Sequence, residues 1–152
     1  MNRYRPLRSL LPAVVLAAAL GCVRSAAVGA EPVIWSCRVA APAASAADFC
    51  PAIGAALETG LRNRDPDRAV AALAPDAPVD AAALNLVIEL VTASDRSLSA
   101  RLLWQAPNAD AQVAGPVLTL DVVDRSLDDA DLRATLASQI AANLLSHGGA
   151  PL

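Results

Sequence analysis

Two runs of alternating residues, Leu84–Thr92 and Leu98–Gln105, stand on either side of Ser94-Asp95-Arg96. A period of two sends successive side chains to opposite faces of a strand, and a short polar break between two such runs predicts an antiparallel hairpin. With Thr92 set opposite Leu98, residues Leu86, Ile88 and Leu90 oppose Trp104, Leu102 and Ala100 on one face. Val87, Glu89 and Val91 then oppose Leu103, Arg101 and Ser99 on the other. This register places Glu89 across from Arg101, an opposite-charge cross-strand pair that favours it over its neighbours. A two-residue slip keeps the faces but loses the pair.

The remaining elements are read from the same periodicities. Val33, Trp35, Cys37 and Val39 alternate with Ile34, Ser36 and Arg38, which predicts a first strand with Cys37 facing inward. A linker of small residues and proline, Ala40 to Ala47, leads to a helix capped by Ser45 or Asp48. Pro51 favours Asp48, because the proline then falls in the first turn, where its missing N–H costs nothing. Phe49, Ile53, Leu57 and Leu61 form the apolar stripe of that helix, which runs to about Leu61 or Arg62 with Cys50 beside the stripe. Arg68 to Leu73 reads equally as one more helical turn or as a short strand, and Ala74-Pro75-Asp76-Ala77-Pro78 is a loop.

Pro107 to Gly115 reads as a polar connection, and Val117 to Val123 as another strand with Leu118, Leu120 and Val122 inward. Ser126-Leu127-Asp128-Asp129 has the form of a capping box, and Leu132, Leu136, Ile140 and Leu144 then recur at helical spacing up to Gly148-Gly149. The predicted order is β-α-β-β-β-α. It describes an α+β two-layer sandwich, a mainly antiparallel sheet of about four strands with two helices on one face, in which a right-handed crossover through the first helix sets the first strand parallel to one of the others.

The N-terminus predicts a destination. Arg3, Arg5 and Arg8 precede an apolar run from Leu10 to Val23, which is shorter than the roughly 20 apolar residues of a spanning helix. Residues 1–30 are expected to be a signal peptide, cut between Ala30 and Glu31 with Ala27 as the second choice, leaving residues 31–152 as one small α+β domain. Ala19-Leu20-Gly21-Cys22 offers a competing possibility, lipidation of Cys22, although Ala19 and Leu20 stand in the reverse of the usual lipobox order. Four of the twelve arginines and none of the fifteen acids lie in residues 1–30, so the remainder carries eight arginines and a net charge of −7. An acidic domain with no lysine and no basic cluster is a poor match for nucleic acid or for an anionic membrane surface, and a membrane partner is expected only if Cys22 is lipidated.

Cys37 and Cys50 are expected to form a disulfide in an oxidising compartment, closing a loop of a length that stabilises by roughly 3 kcal/mol. Zinc would require about four ligands at recognisable spacing. A redox pair would usually be Cys-x-x-Cys, which is absent.

No constellation carries recognisable chemistry, and neither a cofactor, a metal nor a catalytic residue is expected. His147 falls in the last turn of a helix, where an imidazolium complements the dipole, and adjacent Ser146 points about 100° away around the helix. Asp121, Asp124, Asp128, Asp129 and Asp131 lack the glycine and closing glutamate of a calcium loop and suit a solvated helix start. Trp35 and Trp104 fall on the apolar sides of their strands and are expected to fill the core. Arg62, Arg64 and Arg68 are offset by Asp65 and Asp67.

The outward sheet face is the exception. Val87, Glu89, Val91, Arg101 and Leu103, with Val117 and Val123, make it more apolar than a freely solvated sheet needs, which points to a partner surface for another envelope protein. The chain is therefore expected to be an exported bacterial protein, periplasmic or secreted, acting as a non-catalytic binding or interaction module. The rivals are a lipid-anchored envelope assembly factor and a small secreted hydrolase built on paired acids.

Overall fold

A computed structural model describes residues 31–40, 46–75, 77–124, 126–127 and 129–152. The expected signal peptide, with Cys22 and Ala30, the alternative cap Ser45 and Asp128 lie outside the described residues. In chain order the elements are β1 (Val33–Val39), α1 (Ala46–Arg64), β2 (Val70–Ala72), β3 (Leu84–Ala93), β4 (Ser97–Gln105), β5 (Val113–Ala114), β6 (Leu118–Asp121) and α2 (Ala130–His147). Among the described residues the molecule is α+β with two helices, and its sheet matches in part the expected, mainly antiparallel one of about four strands. Six described strands form a mixed sheet in the order β2-β1-β3-β4-β5, with β6 also on β4.

The difference has two sources. β1 pairs in parallel with β2 on one side and β3 on the other, so two of the five strand pairings are parallel. The additional strands, β2 and β5, are three and two residues long and consist of valine and alanine. Runs that short contain no readable alternation, and β5 lies inside the segment read as a polar connection.

The hairpin register holds along most of its length, with Leu86 opposite Trp104, Ile88 opposite Leu102, Glu89 opposite Arg101 and Leu90 opposite Ala100. Beyond Leu90 a bulge moves the pairing by one residue. Thr92 meets Ser99 and Ala93 meets Leu98, in place of the expected Thr92–Leu98 and Val91–Ser99 pairs. Val91 is the extra residue.

The helix starts differ from the favoured caps, Asp48 for α1 and Ser126 for α2. α1 starts at Ala46, so Asp48 lies in its first turn and Pro51 lies inside the helix, where it removes one backbone hydrogen bond. α2 is capped by Asp129 and not by Ser126; the Asp129 carboxylate accepts from the backbone N–H groups of Asp131 at 3.0 Å and Leu132 at 3.2 Å. At the other end the Gly148 N–H bonds the Leu144 carbonyl at 2.8 Å, and Gly149 takes a φ of 76°, which only glycine adopts freely.

One apolar layer joins the helices to the sheet. Phe49, Ile53, Leu57 and Leu61 of α1 and Leu136, Ile140 and Leu144 of α2 pack with Val33, Leu84, Leu86, Ile88, Leu90, Leu98 and Leu102. The two helices meet start to start through Arg133 and Asp48, and end to end where Arg64 donates to the Leu145 carbonyl at 3.1 Å, so they run side by side in the same direction. Trp35, Leu86 and Trp104 form one row across the inner face, as β1 and β4 flank β3. The Trp35 ring lies against Gly54, where any Cβ would collide with it, and its Nε1 donates to Glu58 at 3.0 Å. The Cys37–Cys50 disulfide, with Cα atoms 5.7 Å apart, fastens β1 to α1.

Candidate functional site

On the face turned away from the helices, the three central strands bring charged residues into one row. β1 sets Arg38 opposite Glu89, and β4 sets Arg101 opposite the same residue from the other side. Arg38 donates through Nε at 3.0 Å and reaches the same Oε1 through Nη2 at 2.8 Å; Arg101 donates through Nε to Oε2. The Glu89 side chain is 8% exposed, whereas those of Arg38 and Arg101 are 47% and 36% exposed. The carboxylate is thus sunk into the sheet face with a guanidinium on each flank.

Burial pushes the Glu89 carboxyl up, but the hydrogen bonds and charges of Arg101 and Arg38 outweigh it, so the group titrates below its ordinary value. Because the folded-state pKa is depressed, the linked stability is present above the unfolded-state pKa of about 4.3 and is lost as pH falls through the folded value. Glu89→Gln should therefore flatten this part of the acid limb. Thermal melts of both proteins from neutral pH down to about pH 3 check it; parallel acid limbs would show that the row contributes nothing to pH-dependent stability.

Neighbouring rows are largely spoken for. Asn85 is buried and donates through Nδ2 to the carbonyls of Asp80 at 2.7 Å and Ala83 at 2.9 Å. Asn108 ties the β4–β5 connection to the β2–β3 connection by donating its N–H to Ala81 at 2.8 Å. A cavity of about 30 Å³ lined by Ile34, Ser36, Leu73, Val79 and Val87 lies where the β2–β3 connection crosses the end of this face. Beyond the charged row, Ser99 and Thr119 share a hydrogen bond of 2.9 Å between their hydroxyls.

Of the expected face residues, the structure brings Glu89 and Arg101 together and adds Arg38. Leu103 is buried, Val87 and Val91 are half-buried, and Val117 and Val123 are exposed beyond the ends of β6. The apolar part of the face is thus mostly shielded within the chain, and its accessible centre is charged. Arg38 was legible as an outward residue of β1, but not as a neighbour of Glu89, because nothing local in the sequence places β1 beside β3.

The other sequence-derived positions are accounted for individually. His147 is exposed at the last position of α2. Arg62 and Arg64 lie in the last turn of α1, and all three arginines have internal partners: Arg62 pairs with Glu58 at 3.0 Å, Arg64 donates to the end of α2, and Arg68 donates to the Glu31 carbonyl at 3.2 Å. Asp121 belongs to β6, Asp129 caps α2 and Asp131 lies in its first turn. Among the described residues, no three His, Cys, Asp or Glu side chains converge as metal ligands would, and no helix is long and apolar enough to cross a membrane. No protein-family model matches the chain, and no curated protein matches it.

Proposed function

We propose that the chain is an exported bacterial protein, periplasmic or secreted, which acts as a non-catalytic binding module through the helix-free face of its sheet. The observation that carries this reading is the Arg38–Glu89–Arg101 row, which presents two partly exposed guanidiniums at the centre of that face. Glu89 is unsuited to be the general acid of the hydrolase alternative, since a general acid works with a raised pKa and this carboxyl is held low by two cations. A disulfide between β1 and α1 supports an oxidising compartment.

Two measurements test the parts separately. Intact mass of the protein purified from its own cells should give an N-terminus at Glu31 and two hydrogens fewer than the free thiols require. An acylated Cys22 would replace release by anchoring. For the binding role, a photo-crosslinking residue at exposed Thr119 should give a discrete adduct in those cells, and one at exposed Ala55 on α1 should not. Equal labelling from both positions, or none from Thr119, rejects this face as the binding surface.

A further inference from the structure

The charged row is unbalanced. One carboxylate offers about four lone-pair sites, whereas two guanidiniums present about ten N–H groups. Among the described residues both arginines pair with Glu89 and with no other acid. A full positive charge and several donors are left facing outward from a domain that otherwise has a large acidic excess, eight arginines against fifteen acids in residues 31–152.

We propose that Arg38 and Arg101 together receive a carboxylate from an acidic segment of a partner protein, seated on the outer face over Glu89. This rests on the reading of that face as the binding surface and names the chemistry of its partner. Arg presents a planar fork that matches a carboxylate, and the buried Glu89 holds both forks in place before the partner arrives. The acidic remainder of the domain selects the kind of partner. A broad anionic surface such as a bilayer would face the whole acidic domain and be repelled, whereas one side chain on a narrow segment reaches the row alone. The Ser99 and Thr119 hydroxyls, next along the face, add polar partners for the segment's flanks.

The oxidised full chain is titrated with a blocked pentapeptide alternating valine and glutamate, and separately with its glutamine counterpart, while the Arg38 and Arg101 Nε–Hε resonances are followed at low ionic strength. The glutamate peptide should shift both resonances saturably, and the glutamine peptide should bind at least about tenfold more weakly, the effect of losing a charge-assisted hydrogen bond. Arg38→Gln and Arg101→Gln should each weaken binding by about the same factor, with Arg101→Lys losing less. Glu89→Gln should tighten binding, because it removes the negative charge beneath the incoming carboxylate while the amide oxygen still accepts from an arginine, a gain that a purely structural role for the row does not produce. Thermal melts of each variant identify any that fail to fold, in which case the Glu89→Gln and Arg101→Lys comparisons decide.

No shift with the glutamate peptide, or equal shifts with both peptides, overturns the proposal. So does reproduction of the shifts by inorganic sulfate at matched charge, which would make the site a free-anion site. Sedimentation of the protein with phosphatidylglycerol vesicles, with no response to the peptide, replaces the acidic segment by a membrane. If the Thr119 adduct persists in the Arg38→Gln and Arg101→Gln variants, this inference fails and the binding face stands. If Thr119 gives no adduct in the unaltered protein, the face itself fails.

Discussion

Phe49→Ala is expected to destabilise the protein by about 3–5 kcal/mol, because an aromatic removed from a closed core leaves a cavity as well as lost burial. Phe49 has no exposed surface and lies at the start of the apolar stripe of α1. Its ring also lies 5.7 Å from the guanidinium carbon of Arg133, which reaches back to the Leu127 carbonyl at 3.2 Å and to Asp48 at 3.5 Å. The ring is therefore where the start of α1, the start of α2 and the segment before α2 converge. Against a typical total of about 5–15 kcal/mol, a loss of this size takes a large share of the folding free energy. Equilibrium urea unfolding is the check. Phe49→Leu should recover much of the loss, and a decrease below about 1 kcal/mol for the alanine variant would show that the core closes around the vacancy.

Replacing both Cys37 and Cys50 by serine is expected to cost about 3 kcal/mol, mostly through the denatured state. The cross-link spans a sequence separation of 13 and joins two elements that the intervening linker otherwise leaves free to separate in the unfolded chain. The same unfolding experiment carries a second signature: without the cross-link the denatured chain exposes more surface, so the urea m-value should rise as the midpoint falls. An unchanged midpoint with both side chains replaced would mean that the linkage only records the compartment. Cys37 is buried on the inner face of β1 and Cys50 lies half-buried beside the α1 stripe, so the serine pair also places a hydroxyl at a closed position, and reduction of the unmodified protein separates the two contributions.

How much of this could be read beforehand depended on whether the deciding interactions were local. The β3–β4 register followed from Glu89 and Arg101, twelve residues apart in the same hairpin, and it held until the bulge at Val91. Nothing in the composition of Leu90-Val91-Thr92 marks a bulge, since all three residues suit a regular strand. The apolar stripes of both helices were legible because their period is strong; the start of α2 was not, because Ser126 and Asp129 are both good caps. The candidate site was half visible. Its cross-strand pair is local, whereas Arg38 stands 51 residues before Glu89 and joins it only through the parallel pairing of β1 with β3. Part of the expected apolar outer face lies within the chain for a related reason, as the connection after β2 turns back over Ile34 and Val87.

The margins of the sheet restrict how another molecule can attach. One side ends in β2, three residues long, and the other is divided between β5 and β6, two and four residues long, with Pro116 between them. A partner that adds its own strand needs a continuous ladder of free backbone groups, and strands this short offer little of one. The same brevity guards the protein against stacking edge to edge with its own copies. Recognition is thereby directed to side chains on the broad surface of the sheet, where affinity depends on which residues are presented rather than on backbone pairing available to any extended chain.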